Sequence, residues 1–271
     1  LLTINNDESP RLNNHNDEQK GGHDMLAYQI LPAGDTAVNV TFERQVSVAI
    51  NQQIAQLQQR LVQLAVPGIR GFLPAFRTLT IFYNPAQLNL KQLKATVNMA
   101  MLDGRQAAVA TVKRVHIPVC YDTEFGPDIE TVAKQAHLDA ATVIERHSEP
   151  DYLIYMLGFL PGFAYLGGLA PELATPRLAT PRLKIAPGSV GIAGEQTGMY
   201  PIESPGGWQI IGRTPLQLFQ PNKQQPFYYQ TGDYIHFDVI SKAEYSHIAA
   251  HLDEYQVLTE PVAEEKVQHG A

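Results

Sequence analysis

One cysteine, Cys120, is all the thiol chemistry in 271 residues. An internal disulfide is therefore excluded, and a reducing compartment is the expected setting. No apolar run approaches the ~20 residues of a membrane helix, and the polar first residues lack the apolar segment of a secretory leader. Positive charge is sparse too: no Lys/Arg cluster or basic helix occurs, and the formal net charge is −7. Nucleic acid, which selects a dense basic patch, is not an expected partner. A soluble cytoplasmic protein with no membrane attachment is the expectation.

Familiar catalytic signatures are also missing. There is no G-x-x-x-x-G-K-[ST] loop, no G-x-G-x-x-G after a strand and no G-x-S-x-G elbow, and neither Ser189 nor Ser204 sits in one. These gaps exclude a P-loop, the usual dinucleotide fingerprint and the hydrolase nucleophile elbow. Cys120 has no activating neighbour in the sequence. His247 and His251 have metal-ligand spacing but no zincin glutamate between them, and the helical period turns both away from an apolar stripe. They read as a solvated face, and no metal is expected on this chain.

What is present is a globular balance, 44% hydrophobic and 17% charged residues, with enough length for two modest cores. Residues 1–24 are polar and almost without anchors, so they read as a disordered tail, with Met25 the expected native start. From Leu26 the pattern becomes regular. Val38, Val40 and Phe42 alternate as one face of a strand. Ser47 caps a helix with the stripe Ile50, Ile54, Leu57, Leu61 and Leu64, and Pro67-Gly68 ends it. Thr78 to Tyr83 alternates again. Asn89 caps a second helix bearing Leu90, Leu93, Val97 and Met101, which Asp103-Gly104 closes, and Val109 to Ile117 reads as a further strand. This predicts an α+β class: a small α/β sandwich over 25–117, with a boundary near Pro118.

The second region, 118–257, opens with two short helices. One carries Ile129, Val132, Ala133 and Ala136; the other is capped by Asp139 and buries Val143 and Ile144. Short strands then follow among Gly and Pro: Tyr152 to Leu157, Val190 to Ala193, Trp208 to Gly212, Leu216 to Phe219 and Tyr234 to Ile240. That spacing suggests a barrel or sandwich. A final helix has the capping box Ser241 to Glu244 and a Tyr245/Ile248/Leu252 stripe, and 258–271 reads as a tail.

The chemistry is concentrated between Tyr155 and Thr214. Glycines there let backbone approach a ligand and form anion nests, and prolines fix the loops. Phe159, Phe163, Tyr165, Tyr200 and Trp208 can wall a small planar ligand, while Arg177, Arg182 and Arg213 can hold a carboxylate or phosphate. The same Gly/Pro density also suits the tight corners of a small barrel. In the repeat A-T-P-R-L an odd offset turns Arg177 and Arg182 to opposite faces, one toward a cleft and the other toward a partner chain. The binding candidates are Phe159, Tyr165, Arg177, Arg182, Gly188, Ser189, Gly191, Gln196, Thr197, Tyr200, Trp208 and Arg213. His147, at a helix end, is either a dipole partner or a proton-transfer group, and Gln196 and Tyr200 are the other catalytic candidates.

These motifs carry a resemblance. The series G-F-x-P-G-F-x-Y-L-G-G, A-T-P-R-x-A-T-P-R, G-S-V-G-I-A-G, Q-T-G-x-Y-P and S-P-G-G-W-x-x-I-G-R-T is joined by Gly34-Asp35, Pro74-Ala75-Phe76-Arg77, Ile117-Pro118-Val119-Cys120-Tyr121 and Gly232-Asp233. From about Ile30 to about Ser241 the chain resembles the family of the B-type subunit of 5-oxoprolinase, the kinase inhibitor KipI and allophanate hydrolase subunit 1. Ala164 stands where that family commonly has Pro, Ala186-Pro187 reverses Pro-Ala, Glu195 replaces a Gly, and His236 sits where Arg is frequent. The last weakens an anion role at that position.

The resemblance implies a cyclophilin-like β-barrel second domain and pairing with C-type and A-type 5-oxoprolinase subunits for ATP-dependent opening of 5-oxoproline to glutamate. ATP belongs to that complex, its site on this chain being unassigned. A small anionic substrate then suits Arg182 or Arg213 as clamp, Gly188 to Gly194 amides as oxyanion donors, and Gln196 and Tyr200 for orienting the lactam. Without P-loop or nucleophile motif the chain is expected to be inactive alone. The resemblance equally admits a KipI-like inhibitor of a sensor histidine kinase. Prolyl isomerisation ranks lower, since fold does not transmit function, and a urea-carboxylase role lacks a biotinyl-lysine motif.

Overall fold

The computed structural model describes residues 26–44, 47–102 and 112–262. The expected 1–24 tail, Asp103-Gly104 and Val109 lie outside these residues.

The first sheet is antiparallel, in the order β1 (Tyr28–Pro32), β2 (Ala37–Phe42), β4 (Thr78–Tyr83), β3 (Ile69–Pro74). Val38, Val40 and Phe42 of β2 meet Leu79, Ile81 and Tyr83 of β4 in one core. Two helices cover that face. Helix α1 (Val48–Gln63) starts because the Ser47 hydroxyl accepts the Ile50 amide, and it buries Ile50, Ile54, Leu57 and Leu61. Leu64, expected in the stripe, falls past the last helical residue and is exposed. Helix α2 (Leu90–Leu102) begins with a reciprocal pair, Gln92 N to Asn89 Oδ1 at 2.9 Å and Asn89 N to Gln92 Oε1 at 3.1 Å. Strands β1 and β3 escape the sequence pattern because both lie at edges, where residues are only half-buried and alternation is weak.

The expected strand ending at Ile117 is β5 (Lys113–Val119), and it does not complete the first sheet. It pairs in parallel with β13 (Tyr234–Val239) and antiparallel with β14 (Thr259–Pro261). Val115, Ile117 and Val119 are buried in the second core. The change of core therefore falls between Leu102 and Lys113, ahead of Pro118. Likewise 258–271 is not wholly a tail, because Thr259, Glu260 and Pro261 form a ladder on β5. Sequence pattern cannot assign a strand to a sheet; register and burial do.

Helices α3 (Ile129–Ala136) and α4 (Ala140–Ser148) follow, the second capped by Asp139 Oδ1 accepting the Thr142 amide at 2.7 Å. Then come β6 (Asp151–Leu157), β7 (Ala164–Gly167), a 3₁₀ turn at Pro171–Leu173, β8 (Arg182–Ile185), β9 (Ser189–Ala193), β10 (Gln196–Met199), β11 (Ser204–Gly206) and β12 (Gln209–Arg213). Helix α5 (Lys242–Ala250) has the full capping box at Ser241 and Glu244. Leu216 to Phe219 is not a strand. Leu216 and Leu218 are buried on alternate positions, yet the segment joins no ladder among the described residues.

The larger sheet has the order β12-β9-β10-β7-β6-β13-β5-β14, and β8 pairs only with β11. This is a mixed α+β architecture, and no continuous ladder among the described residues closes the sheet into a barrel. A single antiparallel bridge, Cys120 N to Arg213 O at 2.9 Å and Arg213 N to Cys120 O at 3.0 Å, joins the end of β5 to the end of β12. No helix among the described residues is long and apolar enough to cross a membrane.

Candidate functional site

The two cores meet at β6 and β7. Asn51 of α1, itself buried, donates from Nδ2 to the Tyr155 carbonyl at 2.9 Å. Phe76, just past β3, packs against Tyr155 and Tyr165 with ring centroids 5.6 and 5.8 Å away. Beside these rings lies a cavity of about 370 Å³ lined by Phe76, Tyr155, Gly167, Gly168, Glu195 and Gln196, among others. Gly167 is required there, since a Cβ would stand 2.0 Å from the Tyr155 ring.

Glu195, in the turn after β9, and Gln196, the first residue of β10, border both this cavity and a shallow open depression lined also by Pro176, Arg177 and Gly194. The loop bearing Arg177 is held at three places. Thr175 and Gly194 exchange backbone hydrogen bonds, Gln209 Nε2 donates to Pro176 O at 2.9 Å, and Leu178 N donates to Gly207 O at 2.7 Å. Arg177 is exposed, with its guanidinium carbon 5.8 Å from the Trp208 ring centroid. Its position is thus fixed by backbone and by a cation–π contact, with no carboxylate paired to it among the described residues. Behind it, Phe163, Tyr200 and Trp208 form a cluster of edge-to-face rings.

The tyrosines lining and packed behind the cleft are donors, not bases. Burial raises the Tyr165 phenol, with Arg177 pulling weakly the other way, and burial raises Tyr155. Tyr200 is pushed up to about 12, chiefly by burial. At neutral pH each keeps its proton.

Of the sequence candidates, Gln196 borders both openings and Arg177 the depression, while Tyr165 packs against Phe76 and Trp208, buried, lies against Arg177; the structure adds Phe76, Tyr155, Glu195, Gly167 and Gly168. The P-A-F-R motif at Phe76 was the available signal, but nothing in the sequence says that the first sheet reaches the second. Tyr200 is only 1% exposed and serves as ring packing beneath Trp208. Phe159 lies outside the cleft, at the tip of the β6–β7 hairpin. It is exposed, with φ +65 at the centre of a γ-turn in which Leu160 N donates to Gly158 O at 2.7 Å.

Three expectations need correcting. Arg177, Arg182 and Arg213 do not converge. Arg182 Nη2 is bound to Asp128 Oδ1 at 2.6 Å and its Nη1 reaches Trp208 O at 3.3 Å, so its charge is already matched. Arg213 lies at the other end of β12 over the Phe125 ring, 5.5 Å from its centroid. Arg182 is not free as a clamp, because Asp128 already matches its charge, and Arg213 borders neither the cavity nor the depression.

The oxyanion nest at Gly188 to Gly194 is not open either. Strand β9 is wholly buried between β12 and β10, so the amides of Ser189 to Ala193 face ladders and turns. Gly188 N is spent on Tyr200 O at 2.7 Å. Gly188 has φ +80, and a Cβ would lie 2.3 Å from the Thr214 carbonyl, which makes it a structural turn. Ser189 and Gly191 belong to this buried strand.

His147 is a core residue, closed off from solvent and from the cleft. It is fully buried between Tyr121 OH on Nδ1 and Thr197 Oγ1 on Nε2, both at 2.8 Å. Thr197 donates its own hydrogen to Gly191 O at 3.1 Å, so it accepts from Nε2–H, which leaves Nδ1 to accept from Tyr121. Desolvation pushes the imidazole down to about 3, so it stays neutral. Thr197 is accordingly core and not ligand-facing.

Comparisons with known proteins agree with this architecture. The sequence pattern described as "Carboxyltransferase domain, subdomain C and D" matches residues 28–229. The B-type subunit of 5-oxoprolinase from Bacillus subtilis (strain 168) is 39% identical over 230 residues, covering 81% of this chain and 96% of the relative. The protein of the same name from Escherichia coli O157:H7 is 40% identical over 205 residues, covering 75% and 92%. Among solved structures, TTHA0988 superposes with TM-score 0.68 at 32% identity over 76% of this chain, which spans 40% of that chain. With relatives this similar over nearly their whole lengths, and with the pattern matched across both cores, the chain belongs to the carboxyltransferase-domain family, subdomains C and D.

Proposed function

We propose that the chain is the B-type subunit of an ATP-dependent 5-oxoprolinase, opening 5-oxo-L-proline to L-glutamate together with partner subunits of the C and A types. The observation that carries this reading is the similarity, over nearly their full lengths, to two bacterial proteins that bear the name of that 5-oxoprolinase component. The cleft fits the substrate's chemistry. A lactam carrying one carboxylate needs a cation, a flat apolar wall and an amide partner. Arg177, at the adjoining depression, supplies the cation, Phe76 and Tyr155 the wall, and Gln196, which borders both openings, a donor for the lactam carbonyl and an acceptor for its N–H.

The depression beneath Arg177 is open to one side, which is where a partner chain would complete the site. ATP is assigned to the assembled complex, and the cytoplasm, where ATP is supplied, is the expected compartment. We also read the larger sheet as an opened form of the cyclophilin-like barrel. Its support is the Cys120–Arg213 bridge, which ties β5 back to β12.

The test is reconstitution. The purified chain is mixed with C- and A-type subunits, ATP and 5-oxoproline, and glutamate is measured. Turnover is expected only in the complete mixture. Turnover unaffected by omitting this chain, or tight binding to a sensor histidine kinase with no turnover in the mixture, would overturn the assignment.

A further inference from the structure

Away from the cleft, the parallel ladder of β5 and β13 places His116 directly beside His236. Alternation along the strands decides which side chains share their face. Val115, Ile117, Ile235 and Phe237 point into the core, so Arg114, His116, His236 and Asp238 point outward. The flanking strands add Asp151, paired with His236 across β6, and Glu260, paired with Arg114 across β14.

The contacts are specific. Asp238 Oδ1 lies 3.0 Å from His116 Nδ1 and 3.9 Å from His236 Nε2. The two outer ring nitrogens face different carboxylates: His236 Nδ1 is 3.0 Å from Asp151 Oδ1, and His116 Nε2 is 3.5 Å from Glu260 Oε2. Arg114 holds both outer carboxylates, at 2.5 Å to Asp151 and 2.9 Å to Glu260. All four imidazole nitrogens therefore face carboxylate oxygen. A neutral imidazole has one N–H only, so neutral rings hydrogen-bond at the two 3.0 Å contacts and leave each Nε2 lone pair turned toward a carboxylate oxygen, with His116 Nε2 buried and without a hydrogen-bond partner and the ring centroids 5.1 Å apart beside an arginine.

A divalent cation satisfies it with both rings neutral. The inner nitrogens give lone pairs to the metal, and the outer N–H groups donate to Asp151 and Glu260, the carboxylate–histidine–metal arrangement in which an outer carboxylate orients each ligating ring. Charge agrees as well. Three carboxylates and one guanidinium leave a local charge of −2 when the rings are neutral.

We propose that His116 Nδ1, His236 Nε2 and Asp238 Oδ1 bind one zinc-class divalent cation. Their donor atoms all lie within 4.8 Å of one another. Bonds of about 2.0–2.1 Å in a tetrahedron put ligand atoms roughly 3.4 Å apart, between the two separations measured to Asp238. Nitrogen and carboxylate donors without thiolate suit Zn²⁺, with Co²⁺ and Ni²⁺ as substitutes. The site spans β5 and β13, and through Glu260 it orients β14, so its role is to fasten that short edge strand.

The full chain, stripped with chelator, is titrated calorimetrically with Zn²⁺ and, for its visible ligand-field bands, with Co²⁺. One equivalent is expected to bind saturably and raise the Tm. The His116→Gln/His236→Gln variant should lose this binding, and Asp151→Asn, altering a positioning residue, should weaken it about 10–100-fold. Asp238→Asn is the second variant should the double substitution misfold by circular dichroism. His247 and His251, whose rings are 4.6 Å apart, are a second potential chelate, so His247→Gln/His251→Gln is the control and should bind normally. Absence of saturable binding, or binding lost in the control and kept in His116→Gln/His236→Gln, overturns the proposal.

Discussion

Replacing His147 by Gln isolates the cost of keeping one imidazole neutral in the core. A Gln amide can donate to Thr197 and accept from Tyr121, so both hydrogen bonds of the native ring have a counterpart. The native group titrates near 6.5 when unfolded and near 3 when folded. Its folded value is depressed, so the unfolded state binds more protons between those limits. The contribution to stability is complete above pH 6.5 and falls as pH drops toward 3. Between pH 7 and 4.5 this one site removes about 2.5 kcal/mol. Other acid-sensitive groups, such as Asp139 and Glu244, whose carboxyls are held low by helix-capping hydrogen bonds, act equally in both proteins and cancel in the difference. Urea unfolding followed by circular dichroism at pH 7, 5.5 and 4.5 gives the two curves. The native advantage over His147→Gln should shrink by that amount. Curves that stay parallel to within roughly 0.5 kcal/mol would mean that His147 titrates in the folded state, and the buried assignment would fail.

The other expectations are shorter. Arg177→Ala should lower turnover of the reconstituted complex by about 10–100-fold while leaving the urea midpoint unchanged, because on the proposed reading the guanidinium anchors substrate, and among the described residues it forms no ion pair. Arg182→Ala should do the reverse. It removes the charged partner of Asp128, leaving the Ile210 amide, and lowers stability by about 1–2 kcal/mol, and turnover at a temperature where the fold is intact should remain near normal. Gly188→Ala combines a positive φ with a Cβ forced against the Thr214 carbonyl, and a loss on the order of 3 kcal/mol in the urea titration is expected. A change under about 1 kcal/mol would show that the turn opens freely.

Local structure was largely legible in the sequence. Ser47, Asn89, Asp139 and Ser241 all stand at helix starts where the capping pattern puts them, β2 carries the expected Val38, Val40 and Phe42 face, and β4 begins and ends at the expected residues. What failed were assignments that depend on distant partners. β5 carries a good alternating pattern, yet its sheet is chosen by β13, and β14 is too short and polar to announce itself. The site shows the same division. Glycine-rich segments and arginines mark the region, but composition cannot tell Arg177 in a cleft from Arg182 already matched by Asp128. His147 at a helix end and Thr197 in a glycine-rich run meet only in three dimensions. The histidine and aspartate ligands proposed above are likewise scattered along the chain and united by register.

Parallel pairing of β5 with β13 has a consequence for biosynthesis. A ribosome making this chain releases Lys113–Val119 long before Tyr234–Val239, and at about 5–20 residues per second the interval is on the order of ten seconds. The first sheet and its helices can settle during that wait, whereas Val115, Ile117 and Val119 stay exposed on a nascent strand. Premature termination anywhere before Tyr234 therefore yields a half-built product with a sticky edge, which makes this interval the point at which chaperone shelter matters most.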